Sequence, residues 1–313
     1  MGGKLRVAIL GAGGVGGYYG GALARAGHPV ALLARGAHLD AIRARGLEVR
    51  TPEGPFTVAV EASDDVTALG PADLAIVAVK TYSLADVLPA ARLLAKTGAI
   101  VLPLLNGVEA ADRLVAGGVP KASVLGGLTQ ISVAKAAPGI VERRSPFQNV
   151  AVGELGGGSS ARAERIALMF REAGADSRAS ENIVADLWRK FAFIAPMAAA
   201  CGLARTPIGP VRDAPYGKLL LERAVREVLS VARARGVELA DDEAAKILAF
   251  VDGLGAAMKP SFLLDLEAGG PNELDDLSGA VSRLGREAGV ETPVHDTAVA
   301  ALGAGSRRRE PPA

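Results

Sequence analysis

The sequence predicts an α/β protein in which a doubly wound parallel sheet is followed by an all-α second half. In the first half, short aliphatic or β-branched runs alternate with longer helical patterns, which is typical of βαβ units. From Glu181 onward, apolar residues recur at three- and four-residue spacing, which predicts helices almost throughout. We therefore expect an α/β domain over residues 1–180 and a helical domain over 181–303. A disordered tail is expected over 304–313, which is rich in Gly, Arg and Pro.

The elements of the first half follow in order along the chain. The predicted strands are Leu5–Leu10, Val30–Ala34, Leu74–Val79 and Ala99–Leu104, and the helices between them are Val15–Ala26, His38–Arg45 and Ser83–Leu94. Shorter strands around the Pro138-Gly139 turn are expected to extend this sheet with antiparallel pairs. A helix near Ser160–Ala173 and a strand near Asp176–Ala179 complete the domain.

The second half is predicted to contain six helices. They cover Asn182–Gly202, Pro215–Gly236, Asp241–Leu254, Pro260–Glu267, Glu273–Gly289 and Val294–Leu302. An apolar helical domain of this kind can supply the interface of a homodimer.

Composition excludes several classes of function. The formal net charge of the 313 residues is +1 without a dense basic stripe, so we expect no nucleic-acid partner. The single cysteine, Cys201, permits no internal disulfide, and the start of the chain lacks a signal-peptide pattern, so a cytoplasmic location is expected. The longest apolar stretch, residues 191–204, contains a proline and is too short to span a membrane. The three histidines are scattered, and no metal site is expected.

A glycine-rich loop joins the first predicted strand to the first helix. It consists of Gly11, Ala12, Gly13, Gly14, Val15 and Gly16, a GxGxxG pattern in the context that a dinucleotide-binding Rossmann domain requires. Gly11 permits the tight turn, Gly13 lets a pyrophosphate approach the backbone, and Gly16 allows close helix–strand packing. Free amides at the helix N-terminus would stabilise the phosphate charge. The alternative is a glycine-rich turn that binds nothing.

Arg35 ends the second predicted strand, where NAD-binding domains place an acidic residue against the adenosine ribose. A guanidinium at this position can pair with the 2′-phosphate of NADP through charge-assisted hydrogen bonds. The pattern therefore favours NADP over NAD, and the alternative is a solvated surface arginine.

Two polar positions follow later strands of the predicted sheet. Lys80 follows the third strand, and Asn106-Gly107 follows the fourth. Because ligands of open α/β sheets bind outside the carboxyl ends of the strands, we expect both positions to face the cofactor. The alternatives are a loop lysine in water and an Asn-Gly turn.

Three residues of the helical half are further candidates for the site. Lys190 is a cation in an otherwise apolar helix, and it either extends its amine to water or points into a cleft as a proton donor. Glu273 follows Asn272, a plausible helix N-cap, so its carboxylate can simply complement a helix dipole. Ser261 after Pro260 can likewise be a helix-start residue, and Cys201 fits a packed small hydrophobe.

Taken together, these motifs resemble the ketopantoate reductase (2-dehydropantoate 2-reductase) family over about Leu5 to Leu302. The resemblance rests on the glycine loop, Arg35, Lys80, Asn106-Gly107, Trp188-x-Lys190, Pro260-Ser261 with Asp265, and Glu273 twelve residues past the serine. It implies a Rossmann domain followed by a helical domain of the 6-phosphogluconate dehydrogenase C-terminal type. The implied activity is NADPH-dependent reduction of 2-dehydropantoate to (R)-pantoate in pantothenate and coenzyme A biosynthesis.

The resemblance also implies roles for individual residues. Lys190 would donate the proton to the substrate carbonyl, and Glu273 would accept from a substrate hydroxyl or from the cofactor ribose. Asn106 would lie beside the nicotinamide and the substrate, Lys80 beside the cofactor, and Ser261 beside the substrate carboxylate.

One departure from the family pattern concerns the substrate. The family typically has asparagines four and eight residues after the catalytic lysine, on the same helix face, where this chain has Ile194 and Ala198. A different, less polar 2-oxo acid or ketone is therefore an alternative substrate. A non-catalytic nucleotide-binding regulator is a second alternative, and retention of both Lys190 and Glu273 argues against it.

Overall fold

The computed structural model describes residues 3–307, which form two compact units. The first unit holds the chain up to Leu105 together with Glu109–Ile183, and the second holds Asn106–Val108 and the chain from Val184 onward. The first unit contains, in chain order, β1 (Val7–Leu10), α1 (Gly14–Arg25), β2 (Val30–Leu33), α2 (Gly36–Arg45), β3 (Leu47–Arg50), β4 (Phe56–Val58), β5 (Glu61–Ser63), β6 (Leu74–Val77), α3 (Leu84–Lys96), β7 (Ile100–Pro103), α4 (Ala110–Ala116), β8 (Gly126–Gln130), β9 (Val133–Ala137), β10 (Ile140–Arg143), β11 (Asn149–Gly153), α5 (Ala161–Glu172) and β12 (Asp176–Ser180).

The main sheet of the first unit has the strand order β5-β2-β1-β6-β7, and all its neighbouring pairs are parallel. The central strands β1, β2 and β6 are buried along their whole length, and a separate hydrophobic core covers each face of the sheet. This confirms the predicted doubly wound parallel sheet. From β1 the strand order runs in both directions, so the loop at its carboxyl end lies at the switch point where such folds bind ligands.

The prediction that antiparallel strands extend this sheet is wrong. β9 and β10 form an antiparallel hairpin, but β10 also pairs in parallel with β3, giving a four-stranded sheet of order β4-β3-β10-β9. β8 and β11 pair antiparallel within a three-stranded sheet that β12 completes. The physical reason is that β3 and β4, which were not predicted, give the hairpin its own hydrogen-bonding partner.

Helix α1 is packed tightly against two sheets because it is rich in glycine. A Cβ atom on Gly20 would lie 2.8 Å from Leu32 of the main sheet. On the other side, a Cβ on Gly17 would lie 2.7 Å from Val141, and a Cβ on Gly21 would lie 2.5 Å from Val49 of the four-stranded sheet. Larger residues at these positions would push the sheets away from the helix that follows the glycine loop.

The second unit is helical, as predicted, and its longest helix forms part of its core. Its helices are α6 (Ile183–Ala204), α7 (Ile208–Asp213), α8 (Gly217–Ala234), α9 (Glu243–Asp252), α10 (Ser261–Ala268), α11 (Ser278–Ala288) and α12 (Pro293–Arg307). Within residues 3–307, α6 is the one helix that is long and apolar enough to cross a membrane, but 61% of its apolar window is buried inside the protein. Such burial is typical of a helix that packs in a protein core.

Two boundaries of the second unit differ from the prediction by five residues, and α7 was not predicted. The helix predicted from Glu273 begins at Ser278, because the preceding residues form turns in which Asn272 Oδ1 accepts a hydrogen bond from the backbone N–H of Leu274. The last helix continues to Arg307 instead of ending at Leu302, so the predicted disordered tail is helical over 304–307. Its remainder, residues 308–313, lies outside the described residues.

Glu227 on α8 supports the N-terminus of α12. Its carboxylate accepts hydrogen bonds from the backbone N–H groups of Val294 (2.8 Å) and His295 (3.1 Å), two donors that a helix start leaves without intrahelical partners. His295 is fully buried, and this burial lowers its pKa to about 4. Its Nε2–H donates to the carbonyl oxygen of Ala224, and its Nδ1 accepts from the Ser278 hydroxyl. The uncharged ring is therefore fully satisfied.

Candidate functional site

The glycine loop has the geometry that close approach of a ligand requires. Gly11 directly follows β1 with φ +106°, a conformation that residues with a Cβ rarely adopt. A Cβ on Gly16 would lie 2.0 Å from the Gly11 carbonyl oxygen, so only glycine lets the loop pack on the first turn of α1. At Gly13, by contrast, an added Cβ would meet no atom within 4 Å, which leaves the backbone open on that side.

Other residues of the loop have structural contacts. The Ala12 N–H donates to the carbonyl oxygen of Leu33 (3.2 Å), so this amide is used within the protein. A Cβ on Gly14 would lie 2.8 Å from the Val133 carbonyl oxygen, so Gly14 provides space for β9. The amides of Gly14, Val15 and Gly16 begin α1 and have no preceding helical carbonyl to bind. They are the donors that the loop offers to an anion.

His38 is a contributor to this region that sequence analysis missed. It is buried, and its Nε2–H donates to the Ala12 carbonyl oxygen (2.7 Å) while Nδ1 accepts from the Gly139 N–H (2.9 Å). Burial lowers the pKa of His38, which favours this uncharged ring. The histidine thus joins the glycine loop to the β9–β10 turn. The contact with Gly139 spans 101 residues, and no local pattern signals it.

A pocket opens beside the glycine loop, at the carboxyl ends of β1 and β2. It is lined by Gly11, Ala12, Gly13, Leu33, Ala34, Arg35, His38, Val79, Ser83, Asp86, Val87 and Lys135. Arg35 is exposed, and no ion pair joins it to another residue in the described part of the chain. The structure therefore brings together the predicted loop and the predicted ribose-side cation.

Lys80 lies near this region but is not part of the pocket lining. It follows β6, is half-buried, and precedes a short 3₁₀ turn at Thr81–Ser83. It lies at the carboxyl end of a central parallel strand, and its contact with a cofactor stays a prediction.

In the second unit, three predicted residues that are far apart in the sequence form one hydrogen-bonded chain. Lys190 Nζ donates to Asn106 Oδ1 (3.0 Å), and Asn106 Nδ2 donates to Glu273 Oε2 (3.2 Å). Helix α6 positions the lysine, the Asn106–Val108 segment positions the amide, and the turn before α11 positions the carboxylate. Because the two ends of the Asn106 amide face a donor and an acceptor, its orientation is determined.

The electrostatics of this cluster favour a lysine that can release a proton near neutral pH. Lys190 is half-buried as a residue, but protein surrounds its ammonium closely, and this desolvation lowers the pKa of Lys190 to about 8. The negative charge of Glu273, which is only 2% exposed, acts in the opposite direction and raises that pKa. The cluster therefore holds a charged lysine whose pKa suits proton transfer.

Glu273 does not lie in the first turn of a helix, as its sequence context suggested. It lies in the turn that precedes α11, and its carbonyl oxygen accepts from the Leu277 N–H (2.9 Å). The interpretation of its carboxylate as a complement to a helix dipole is therefore wrong.

Ser261 and the two apolar positions of α6 lie apart from the hydrogen-bonded chain. Ser261 is the exposed first residue of α10, and within residues 3–307 no hydrogen bond joins it to Lys190, Asn106 or Glu273. Ile194 is half-buried, whereas Ala198 is buried in the core of the helical unit at 2% exposure. The face of α6 that carries Lys190 thus continues with the half-buried Ile194 and enters the core at Ala198.

The residues that the structure describes contain no cluster of three or more His, Cys, Asp or Glu side chains that could hold a metal ion. Cys201 is buried, and this burial raises the pKa of its thiol to about 12. The thiol is therefore a poor nucleophile at neutral pH.

Comparison with known proteins gives matches along both units. Residues 7–157 match the family model described as Ketopantoate reductase PanE/ApbA, and residues 182–306 match the model of its C-terminal domain. A 2-dehydropantoate 2-reductase of Halobacterium salinarum is 33% identical over 296 residues, covering 93% of this chain and 95% of that protein. An uncharacterized oxidoreductase of Bacillus subtilis is 28% identical, covering 95% and 98%. The crystal structure of a ketopantoate reductase from Ralstonia eutropha is 31% identical with a TM-score of 0.87, covering 97% and 99%.

Proposed function

The chain belongs to the ketopantoate reductase family of NAD(P)-dependent oxidoreductases, and on that premise we propose that it reduces 2-dehydropantoate to (R)-pantoate with NADPH. The single observation that carries the chemistry is the hydrogen-bonded chain of Lys190, Asn106 and Glu273. It supports a positioned general acid, and the substrate class is taken from the relatives. The step belongs to pantothenate and coenzyme A biosynthesis.

The first unit fits a dinucleotide cofactor. The open backbone at Gly13, the free amides of Gly14, Val15 and Gly16, and the cation of Arg35 would hold its phosphates. Lys80, Asn106 and Glu273 are also proposed to contact the bound cofactor. When bound, the reduced nicotinamide supplies a hydride to the substrate.

The residues of the second unit supply the proton. As the ketone carbon gains a hydride, negative charge develops on its oxygen, and Lys190 donates a proton from its ammonium to that oxygen. At neutral pH a lysine with pKa of about 8 is mostly charged, and it can regain a proton from solvent after each turnover. The Asn106 amide holds the Lys190 amine in place. The negative charge of Glu273 limits how far desolvation lowers the pKa of Lys190.

Substrate contacts complete the proposal. Ser261 is proposed to contact the substrate carboxylate, and Asn106 its 2-oxo group. A second candidate substrate is a less polar 2-oxo acid or ketone. Ile194 favours this substrate because a half-buried isoleucine offers no hydrogen bond on the face of α6 that carries Lys190. An unpaired buried polar group costs about 1–3 kcal/mol, so a substrate with an apolar group there would be preferred.

The experiment that tests the proposal is a steady-state comparison of 2-dehydropantoate with 2-oxo acids bearing alkyl or aryl side chains, each with NADPH and with NADH. The highest kcat/KM for 2-dehydropantoate with NADPH supports the proposal. A higher kcat/KM for an apolar 2-oxo acid supports the second candidate. Absence of turnover with every 2-oxo acid, despite NADPH binding, contradicts both.

The proposal also covers the cellular location and the oligomeric state of the protein. We place the protein in the cytoplasm, which its single buried cysteine supports. We also propose that it forms a homodimer through the helical unit. Light scattering of the purified protein would give twice the chain mass if it does.

A further inference from the structure

Lys135 lies in the pocket beside the glycine loop, although it belongs to neither the loop nor the main sheet. It is on β9, in the four-stranded sheet, and its exposed side chain lines the same pocket as Arg35. A cation from a separate sheet therefore faces the place where the adenosine end of a dinucleotide is proposed to bind.

The position of β9 beside the loop is fixed by several contacts. The His38 ring accepts from Gly139 at the β9–β10 turn and donates to Ala12 in the loop, at 2.9 and 2.7 Å. At the start of β9, the Val133 carbonyl oxygen occupies the space that a Cβ on Gly14 would need. The backbone that carries Lys135 is thus held at both ends against the glycine loop.

The charges of the pocket favour an anion. Arg35 and Lys135 are cations that, within residues 3–307, form no ion pair with another side chain, while Asp86 is the one carboxylate among the lining residues. The positive charge of Lys135 also contributes to lowering the pKa of His38, as expected for a cation that faces this region. Two unpaired cations from different elements can approach one phosphate from two directions.

We propose that Lys135, together with Arg35, recognises the 2′-phosphate of the adenosine ribose and so determines the preference for NADPH over NADH. This inference rests on the proposed use of NADPH. The 2′-phosphate on the ribose and the pyrophosphate of the cofactor are both phosphate anions, but only the 2′-phosphate is absent from NADH. Comparison of NADPH with NADH binding therefore distinguishes recognition of the 2′-phosphate from recognition of the pyrophosphate.

The test measures dissociation constants of NADPH, NADH and adenosine 2′-monophosphate for wild-type protein and for Lys135→Ala, Lys135→Arg and Lys121→Ala. Lys121 is an exposed lysine in the same unit, outside the pocket, and serves as the matched control. For Lys135→Ala we expect about fivefold weaker binding of NADPH and of adenosine 2′-monophosphate, as for a solvent-exposed charge pair, with NADH binding unchanged. Lys135→Arg should retain most of the affinity, and Lys121→Ala all of it.

Several results would overturn the inference. Equal weakening of NADPH and NADH would assign Lys135 to the pyrophosphate, and unchanged NADPH binding would assign it to solvent. Equal effects of Lys135→Ala and Lys121→Ala would indicate only a general loss of positive charge. If the wild-type protein binds NADPH and NADH equally, the proposed NADPH preference itself fails. If the wild type prefers NADPH and Lys135→Ala shows the same ratio of NADPH to NADH affinity as the wild type, only the role of Lys135 fails.

Discussion

Replacement of Glu273 by glutamine should move the pH dependence of catalysis without removing the side chain that binds Asn106. The glutamine amide oxygen can still accept from Asn106 Nδ2, but the negative charge that raises the pKa of Lys190 is lost. The acid form of Lys190 is the active one, so kcat/KM of the wild type should fall as pH rises through about 8. In the variant this fall should occur at lower pH.

The magnitude follows from the geometry of the cluster. Asn106 bridges Lys190 and Glu273 through hydrogen bonds of 3.0 and 3.2 Å. The two charges are therefore roughly 6–8 Å apart, and at an effective dielectric constant of about 20 their attraction is about 2–3 kcal/mol. Since about 1.4 kcal/mol corresponds to one pH unit, the fall should move downward by about one to two pH units.

The assay is the initial rate of NADPH oxidation between pH 5 and 10, measured for wild type, Glu273→Gln and Glu273→Asp. This range extends to either side of the expected falls of the wild type and of Glu273→Gln. Glu273→Asp retains the charge and should leave the position of the fall close to that of the wild type, whatever its effect on the rate. An unchanged pH profile in Glu273→Gln would refute the reasoning that Glu273 controls the charge of Lys190.

Three further predictions concern the cofactor, the substrate and stability. Arg35→Ala should weaken NADPH binding about tenfold and NADH binding little, because the pair between the guanidinium and the 2′-phosphate is lost. Fluorescence titration measures both affinities, and equal weakening of the two would show that Arg35 does not recognise the 2′-phosphate. Ile194→Asn should lower KM for 2-dehydropantoate by roughly threefold or more, because it offers an amide on the lysine face; an unchanged KM would show that this position does not contact substrate. Protonation of His295 breaks the contacts that its uncharged ring makes, and burial lowers its pKa in the folded state to about 4. The free energy of unfolding should therefore be highest above pH 6.5 and should fall by up to about 3 kcal/mol as the pH drops from 6.5 toward 4. Thermal melts of His295→Gln should show a weaker dependence over that range, and an identical dependence would exclude His295 as its source.

Sequence reasoning predicts most of the α/β core because its signals are local. The buried runs at Val7–Leu10, Val30–Leu33 and Leu74–Val77 are predicted as strands because they are short, aliphatic or β-branched, and separated by longer helical patterns. Gly11 and Gly16 are required by the turn that they form. The four-stranded sheet could not be predicted in this way. Its β3 and β10 strands lie about ninety residues apart, and both pack on glycines of α1, contacts that no local pattern signals.

The site residues were found as isolated candidates, but their relationship was not visible in the sequence. Lys190 and Asn106 are 84 residues apart, and Asn106 and Glu273 are 167 residues apart. Only the folded chain shows that the amide of Asn106 joins the lysine to the carboxylate. His38 was missed because its partners are backbone groups, Ala12 O and Gly139 N–H, which no side-chain motif records.

The most direct test of Lys190 as the proton donor is the rate of the reduction step in Lys190→Ala, measured by single-turnover loss of NADPH absorbance alongside the NADPH dissociation constant. Removal of a positioned general acid should lower the rate about 10²–10⁴-fold, while NADPH binding stays within a factor of about two. A reduction rate in Lys190→Ala close to that of the wild type, with the cofactor still bound, would contradict the assignment of the proton to Lys190.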